Sequence, residues 1–109
     1  MKVKYRPAAI DDIETVSGYL ADELHNAPAA RKLRARLLNS ISLLKDNPLM
    51  GMTLESKLDG TESKIRFLIV SKQIVFYEVN SEEKVIEIIR VLDSRTDYLS
   101  ILFGEYIIE

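Results

Sequence analysis

Three apolar runs crowd into residues 63–92, and the links between them are too short to cross a sheet. The first, SKIRFLIV (63–70), alternates Ile65, Phe67 and Ile69 with Lys64, Arg66 and Leu68. Only Ser71 and Lys72 separate it from QIVFYEV (73–79), and only NSEE separates that from KVIEIIRVL (84–92). Parallel neighbours need a crossover of a dozen residues or more, so links of two and four residues leave only antiparallel hairpins. The chain is therefore committed to a three-stranded meander, and the remaining elements must cover its apolar side.

Those elements can be read in order. KVKYR (2–6) alternates and reads as a short edge strand ending at Pro7. From Ala9 to about Leu24, the residues Ile10, Ile13, Val16, Leu20 and Leu24 recur at helical steps, with Asp11, Asp12 and Glu14 placed to suit an N-terminal dipole. Asn26 can cap a second helix that Pro28 opens, and this runs to about Lys45 with Ala30, Leu33, Leu37, Ile41 and Leu44 on one stripe. So short a link makes the two helices an antiparallel hairpin. DNPLMG stops the second helix, 47–62 reads as a loop with a turn at Asp59-Gly60, and 96–103 reads as a short helix capped near Thr96 or Asp97. The expectation is a single α+β domain over 1–109: an N-terminal strand, an antiparallel helical hairpin, a three-stranded antiparallel meander and a short C-terminal helix. The sheet would have four strands. Ile10, Ile13, Leu20, Leu33, Leu37, Ile41, Leu44, Phe67, Ile69 and Phe76 would supply much of the core.

The inventory removes many chemistries. There is no cysteine, so disulfides and thiolate-held zinc are excluded, and a reducing compartment is expected. Glycines 18, 51, 60 and 104 are scattered and form no phosphate-binding loop. His25 is the lone histidine and has no nucleophile pattern around it; at a helix end it can satisfy late carbonyls. Asp11/Asp12 and Glu82/Glu83 read as a helix start and a solvated turn rather than metal ligands, so no metal or cofactor is expected. No apolar run approaches the roughly 20 residues of a bilayer span. MKVKYRPAAI is not followed by a secretory apolar region, so the expected location is the cytoplasm and no membrane partner is expected. The net charge of −2 hides an asymmetry: residues 31–72 carry nine cations against four carboxylates, a net of +5, leaving −7 for the rest. A basic middle permits an anionic partner, although dedicated nucleic-acid binders are usually basic overall.

One group survives as a candidate site. Residues two apart in a strand share a face, so Lys64 and Arg66 project together, opposite Ile65, Phe67 and Ile69. If the helices cover the apolar face, these cations lie on the open side of the sheet, and the corner Asp93-Ser94-Arg95-Thr96-Asp97 brings Arg95 and Tyr98 to its rim. Cations with a phenol could grip a phosphate or a carboxylate. The plainer alternative is solvated charge beside ordinary turn chemistry.

IVFYEV and IIRVLDSRTDY, with the preceding helical hairpin and the NPLMG stop, resemble the RelE/ParE superfamily of type II toxin–antitoxin toxins. The likeness runs from YRPAAIDDIETVSGYL to YLSILFG. It implies a small intracellular toxin neutralised by a cognate antitoxin, with which it would form a hetero-oligomer. RelE-like members cleave mRNA on the ribosome; there Arg95 would match the basic corner residue, Lys64 or Arg66 the earlier strand cations, and Tyr98 the C-terminal phenol, all four being catalytic in that case. This chain departs from that pattern. Ile74 stands where many nucleases have arginine, and Asp93 where relatives often have histidine. An aspartate, with an ordinary pKa of about 3.9, is a poor substitute for a group that must protonate a leaving oxygen near neutral pH. The resemblance therefore leans to ParE-like toxins, which bind DNA gyrase, with ribosome and mRNA as the alternative targets and a degenerate interaction module as a third reading. The segment after the corner carries Leu99, Ile101, Leu102, Phe103, Ile107 and Ile108, which would either pack on the sheet or meet the antitoxin.

Overall fold

A computed structural model describes residues 1–55 and 62–103 of the chain. Strand β1 (Lys2–Tyr5) leads into helix α1 (Pro7–Gly18), a π-helical turn (Tyr19–Glu23) and helix α2 (Ala27–Leu43). Four further strands follow, β2 (Met52–Glu55), β3 (Glu62–Val70), β4 (Gln73–Asn80) and β5 (Val85–Asp93), and helix α3 (Tyr98–Phe103) closes the order. The sheet runs β1-β5-β4-β3-β2. The meander is as expected, with β3–β4 and β4–β5 antiparallel, while β1 lies parallel to β5. The expected four strands become five: Met52–Glu55, read as loop, pairs antiparallel with β3. Four residues with one apolar alternation give too weak a period to stand out from a loop. The expected turn at Asp59-Gly60 and the tail residues 104–109 lie outside the described residues.

Helix α2 follows its sequence closely. The Asn26 side chain accepts from the Ala29 N–H at 3.1 Å, and Ala30, Leu37, Ile41 and Leu44 are buried. Glu14 meets Arg34 at 3.2 Å, and Ile10 shares a groove with Leu38, so the two helices run antiparallel. Helix α1 departs from expectation in two ways. It starts at Pro7, leaving no acid in its first turn. Its buried stripe is Ala9 and Ile13, whereas Ile10 is 47% exposed and Leu24 53%. With Ala9 and Ile13 facing the sheet, Ile10 lies about 100° round the helix from Ala9 and turns away from it. Asp12 is thereby aimed at β5, where it accepts from Arg90 Nε at 2.7 Å, Arg90 Nη2 at 2.8 Å and the Val91 N–H at 2.9 Å.

The sheet is covered on both faces. On the hairpin side, Ala9, Ile13, Leu37, Ile41 and Leu44 pack on Val70, Val75, Tyr77, Ile86, Ile88 and Val91. On the other side, Tyr98, Leu102 and Phe103 pack on Ile65, Ile74, Phe76, Ile89 and Leu92, with Phe67 alongside. This reverses the expected facing of β3. Arg66 pairs with Tyr77 and Leu68 with Val75, and directly paired residues share a face, so the even positions of β3 turn toward the helices. Phe67 therefore belongs to the second layer, and Ile69, expected in the core, is 63% exposed. In β5 the register shifts between Phe76 and Tyr77, which pair with Arg90 and Ile88 and leave Ile89 extra. This bulge changes the parity: Ile86 and Ile88 face the hairpin before it, and Val91 after it.

Candidate functional site

The corner between β5 and α3 is built from backbone first. The Ser94 N–H donates to the Lys72 carbonyl at 2.8 Å, tying the corner to the β3–β4 turn, and the Thr96 N–H donates to the Asp93 carbonyl at 3.0 Å. Ser71 in that turn has φ 57°, in the left-handed region, and its hydroxyl accepts from Arg36 Nη1 of α2 at 2.7 Å. Asp97 caps α3: its carboxylate accepts from the Ser100 hydroxyl at 2.8 Å and, more loosely, from the Ser100 N–H at 3.4 Å.

Within this frame Asp93 and Arg95 form a closed clip. Asp93 Oδ1 accepts from the Arg95 N–H at 2.8 Å and from Arg95 Nε at 3.0 Å, and Oδ2 accepts from Nη2 at 3.1 Å. The Arg95 guanidinium, then its backbone N–H, hold the Asp93 carboxyl down at about 2, and the field of Lys72 adds to the effect. Asp93 is thus a carboxylate at neutral pH and no proton donor. Arg95 remains 78% exposed and lies within electrostatic reach of Tyr19 on the π-helical turn. One end of the sheet therefore carries Arg95 and Lys72 at the Asp93 carboxylate, Arg36 bonded to Ser71 of the adjoining turn, and Tyr19 within reach of Arg95.

The four residues expected to form a surface are placed as follows. Arg95 and Tyr98 share the corner, but the half-buried Tyr98 ring tilts against Phe76, with centroids 5.4 Å apart and planes at 39°. Arg66 does not lie on an open face. It sits on the hairpin side and donates from Nη1 to the Gly51 carbonyl at 2.8 Å. Lys64, also at a hairpin-side position, is exposed at the far end of β3 in a pocket with Glu78, Glu82 and Glu87, roughly 20 Å along the strand from the turn that carries Lys72. The structure brings together Arg95 and Tyr98 and leaves Arg66 and Lys64 apart from them. Ile74 packs in the layer beneath α3. Sequence reasoning missed Lys72, Arg36 and Tyr19. For Lys72 a signal existed, because an antiparallel meander places the first turn beside the end of the third strand. Among the described residues no three His, Cys, Asp or Glu side chains are grouped to hold a metal ion, and no helix is long and apolar enough to cross a membrane. The corner can bind through donors held in fixed geometry, and its Asp93 is a carboxylate rather than an acid at neutral pH.

Residues 3–98 match the family described as the ParE toxin of type II toxin-antitoxin system, parDE. No curated protein matches the sequence significantly. Among solved structures, the chain is similar to one in the chromosomal ParDE toxin–antitoxin system of P. aeruginosa, with a TM-score of 0.68 at 18% identity over 85% of this chain and 95% of that one. It is also similar to one in the RelBE2 toxin–antitoxin complex of Mycobacterium tuberculosis, with a TM-score of 0.54 at 18% identity over 84% and 95%. A chain of the intact E. coli RelBE complex gives a TM-score of 0.55 at 14% identity over 87% and 98%. At these identities the likenesses establish the fold.

Proposed function

We propose that this chain, which belongs to the ParE toxin family of type II toxin–antitoxin systems, acts by binding a protein target, DNA gyrase, and is neutralised by a cognate antitoxin. The observation that carries the binding mode is the Asp93–Arg95 clip. Its guanidinium is presented by a carboxylate held ionised, so the corner has a fixed donor for a partner, and Asp93 is not the acid that would protonate a leaving oxygen. Arg66, the strand cation that a nuclease would aim at RNA, is bonded to Gly51 beneath the hairpin side instead.

The antitoxin reading is supported by the related structures, which are toxin–antitoxin assemblies. It also has a surface available. Leu102 and Phe103 pack on the sheet, but Ile101, Ile69 and Met52 remain exposed. Ile69 and Met52 lie on the same sheet face as α3, where an apolar segment of another chain would bury them.

Two measurements separate the targets. The purified chain is expected to inhibit gyrase supercoiling of plasmid DNA, and its induction to produce filamentous cells with DNA-damage signalling. Rapid loss of translation with cut mRNA, and an unaffected gyrase, would assign the chain to the ribosome-dependent nuclease reading.

A further inference from the structure

The end of the sheet that holds the corner is cationic by construction. Arg36 reaches it from α2 through Ser71, Lys72 occupies the β3–β4 turn, and Arg95 follows the carbonyl link from Ser94 to Lys72. These three come from different parts of the chain, yet the topology delivers them to one edge. Three cations, with the exposed Tyr19 within reach of Arg95, are the elements of a surface for a single-stranded nucleic acid: point charges for phosphates and a ring for a base. Such a surface binds any polyanion in the cell, because phosphate contacts carry no sequence information.

Asp93 stands within it, clipped to Arg95 and beside the Lys72 turn. Its two oxygens engage the Nε and Nη2 atoms of Arg95, the same fork that would receive two phosphate oxygens. A phosphate taking that fork must displace a carboxylate that is covalently fixed two residues away and also anchored by the Arg95 N–H, and one taking the outer edge still meets the Asp93 charge. A protein partner that docks through neutral carbonyl oxygens meets no such repulsion, since these need only the donors left on the outer edge of the guanidinium and carry no charge for Asp93 to oppose.

We propose that Asp93 is a specificity-determining residue that closes this cationic corner to nucleic-acid phosphates and reserves it for a protein partner. The proposal rests on the protein-target reading above, and adds to it the residue that enforces the choice. Asp93→Asn is the sharpest variant, because the amide keeps the shape and an oxygen for the Arg95 N–H while removing the charge. Asp93→Ser, another turn former, is the second variant should the first fold poorly.

Binding of a fluorescent single-stranded RNA oligonucleotide of mixed sequence to the purified chain tests it by anisotropy across a salt series. The wild type is expected to bind weakly. Asp93→Asn is expected to bind about tenfold or more tightly at low salt, with the logarithmic salt slope steeper by about 0.7 for each additional phosphate neutralised. Adding Arg95→Ala to Asp93→Asn should return binding to the wild-type level. Equal RNA binding by wild type and both Asp93 variants overturns the proposal, and so does tighter binding that survives Arg95→Ala. Gyrase inhibition by the wild type is read separately. If it fails while the Asp93 variants bind RNA more tightly, only the gyrase target is wrong; if it holds while their RNA binding is unchanged, only the role of Asp93 is wrong.

Discussion

Tyr77 shows how a single polar atom fixes the segment after α2. Its ring is fully buried under the helical hairpin, its hydroxyl accepts from the Gly51 N–H at 2.8 Å, and it donates to the Pro48 carbonyl at 2.9 Å. Burial raises the Tyr77 pKa despite opposing pulls from the Gly51 N–H and Arg66, so the phenol stays protonated and able to donate. Tyr77→Phe strands both backbone partners and should cost about 1–3 kcal/mol in urea unfolding. Gly51→Ala should cost a similar amount, about 1–3 kcal/mol, because a Cβ there would meet the Phe67 carbonyl oxygen at 2.5 Å and the Tyr77 hydroxyl at 2.6 Å. At Asp93 the measurable quantity is pH dependence. Its folded value of about 2 lies below an unfolded value near 3.9, so its contribution is present above about pH 4 and lost as pH falls toward 2. The pair is exposed and screened, which keeps the effect small. The difference in urea midpoint between wild type and Asp93→Asn should therefore be larger at pH 5 than at pH 2. Glu87, lowered by Arg6, titrates with the same sign in both proteins and cancels in that difference.

At the scale of elements, β5 is the strand on which both layers depend. Its bulge turns Val91 toward the hairpin and Leu92 toward α3, and the Asp12–Arg90 pair, with the Val91 N–H, locks α1 onto the irregular stretch. Deleting Ile89 would leave Ile88 opposite Tyr77, Arg90 opposite Phe76 and Val91 opposite Val75, so both layers keep their register, but it removes a buried side chain under α3 and the bulge at Arg90; the deletion variant should still unfold cooperatively by calorimetry, at a lower midpoint. Asp12→Ala removes three hydrogen bonds and leaves Arg90 partly buried without its partner; a loss of about 2–4 kcal/mol is expected. For α3 the question is whether Tyr98 packs or reacts. Tyr98→Phe keeps the ring on Phe76 and should leave toxicity and amide protection of 98–103 unchanged, whereas Tyr98→Ala should loosen α3 in hydrogen exchange. Loss of toxicity in the folded Phe variant would give the hydroxyl a functional role.

For the whole molecule, the hairpin covers one sheet face while α3 covers only part of the other, which leaves the sheet's ends and the rest of the α3 face to meet partners. The corner end carries the cation-rich group around Asp93, and the α3 side leaves Met52, Ile69 and Ile101 exposed. These are separate surfaces, so target and antitoxin binding should separate by mutation. Arg95→Ala should weaken toxicity on induction while the folded protein still co-purifies with the antitoxin from its operon. A fully toxic Arg95→Ala would remove the corner from the target surface. Failure of the chain to retain the neighbouring small protein would remove the antitoxin reading.

The sequence by itself determined the elements, and with them the class of fold. Hairpin links of two and four residues forced the meander, Asn26 and Pro28 placed the start of α2, and the stripe from Ala30 to Leu44 marked its buried face. These are local signals, set by backbone geometry and by a period that survives within one element. The family was legible for the same reason, since IVFYEV and IIRVLDSRTDY lie in strands and a corner fixed by short-range rules. Tertiary structure alone decided which face of β3 meets the helices, because Ile65 and Phe67 on one side and Leu68 and Val70 on the other offer similar apolar cover. It decided the fifth strand, whose stability comes from β3 rather than from its own four residues. It also decided the make-up of the candidate site. Lys64, Arg66 and Arg95 are alike as cations in a sequence, but pairing register sends Arg66 to Gly51, leaves Lys64 among glutamates at the far end, and gives Arg95 the company of Asp93 and the Lys72 turn. Register and long-range packing assign partners to charges, and no window of sequence contains both partners at once.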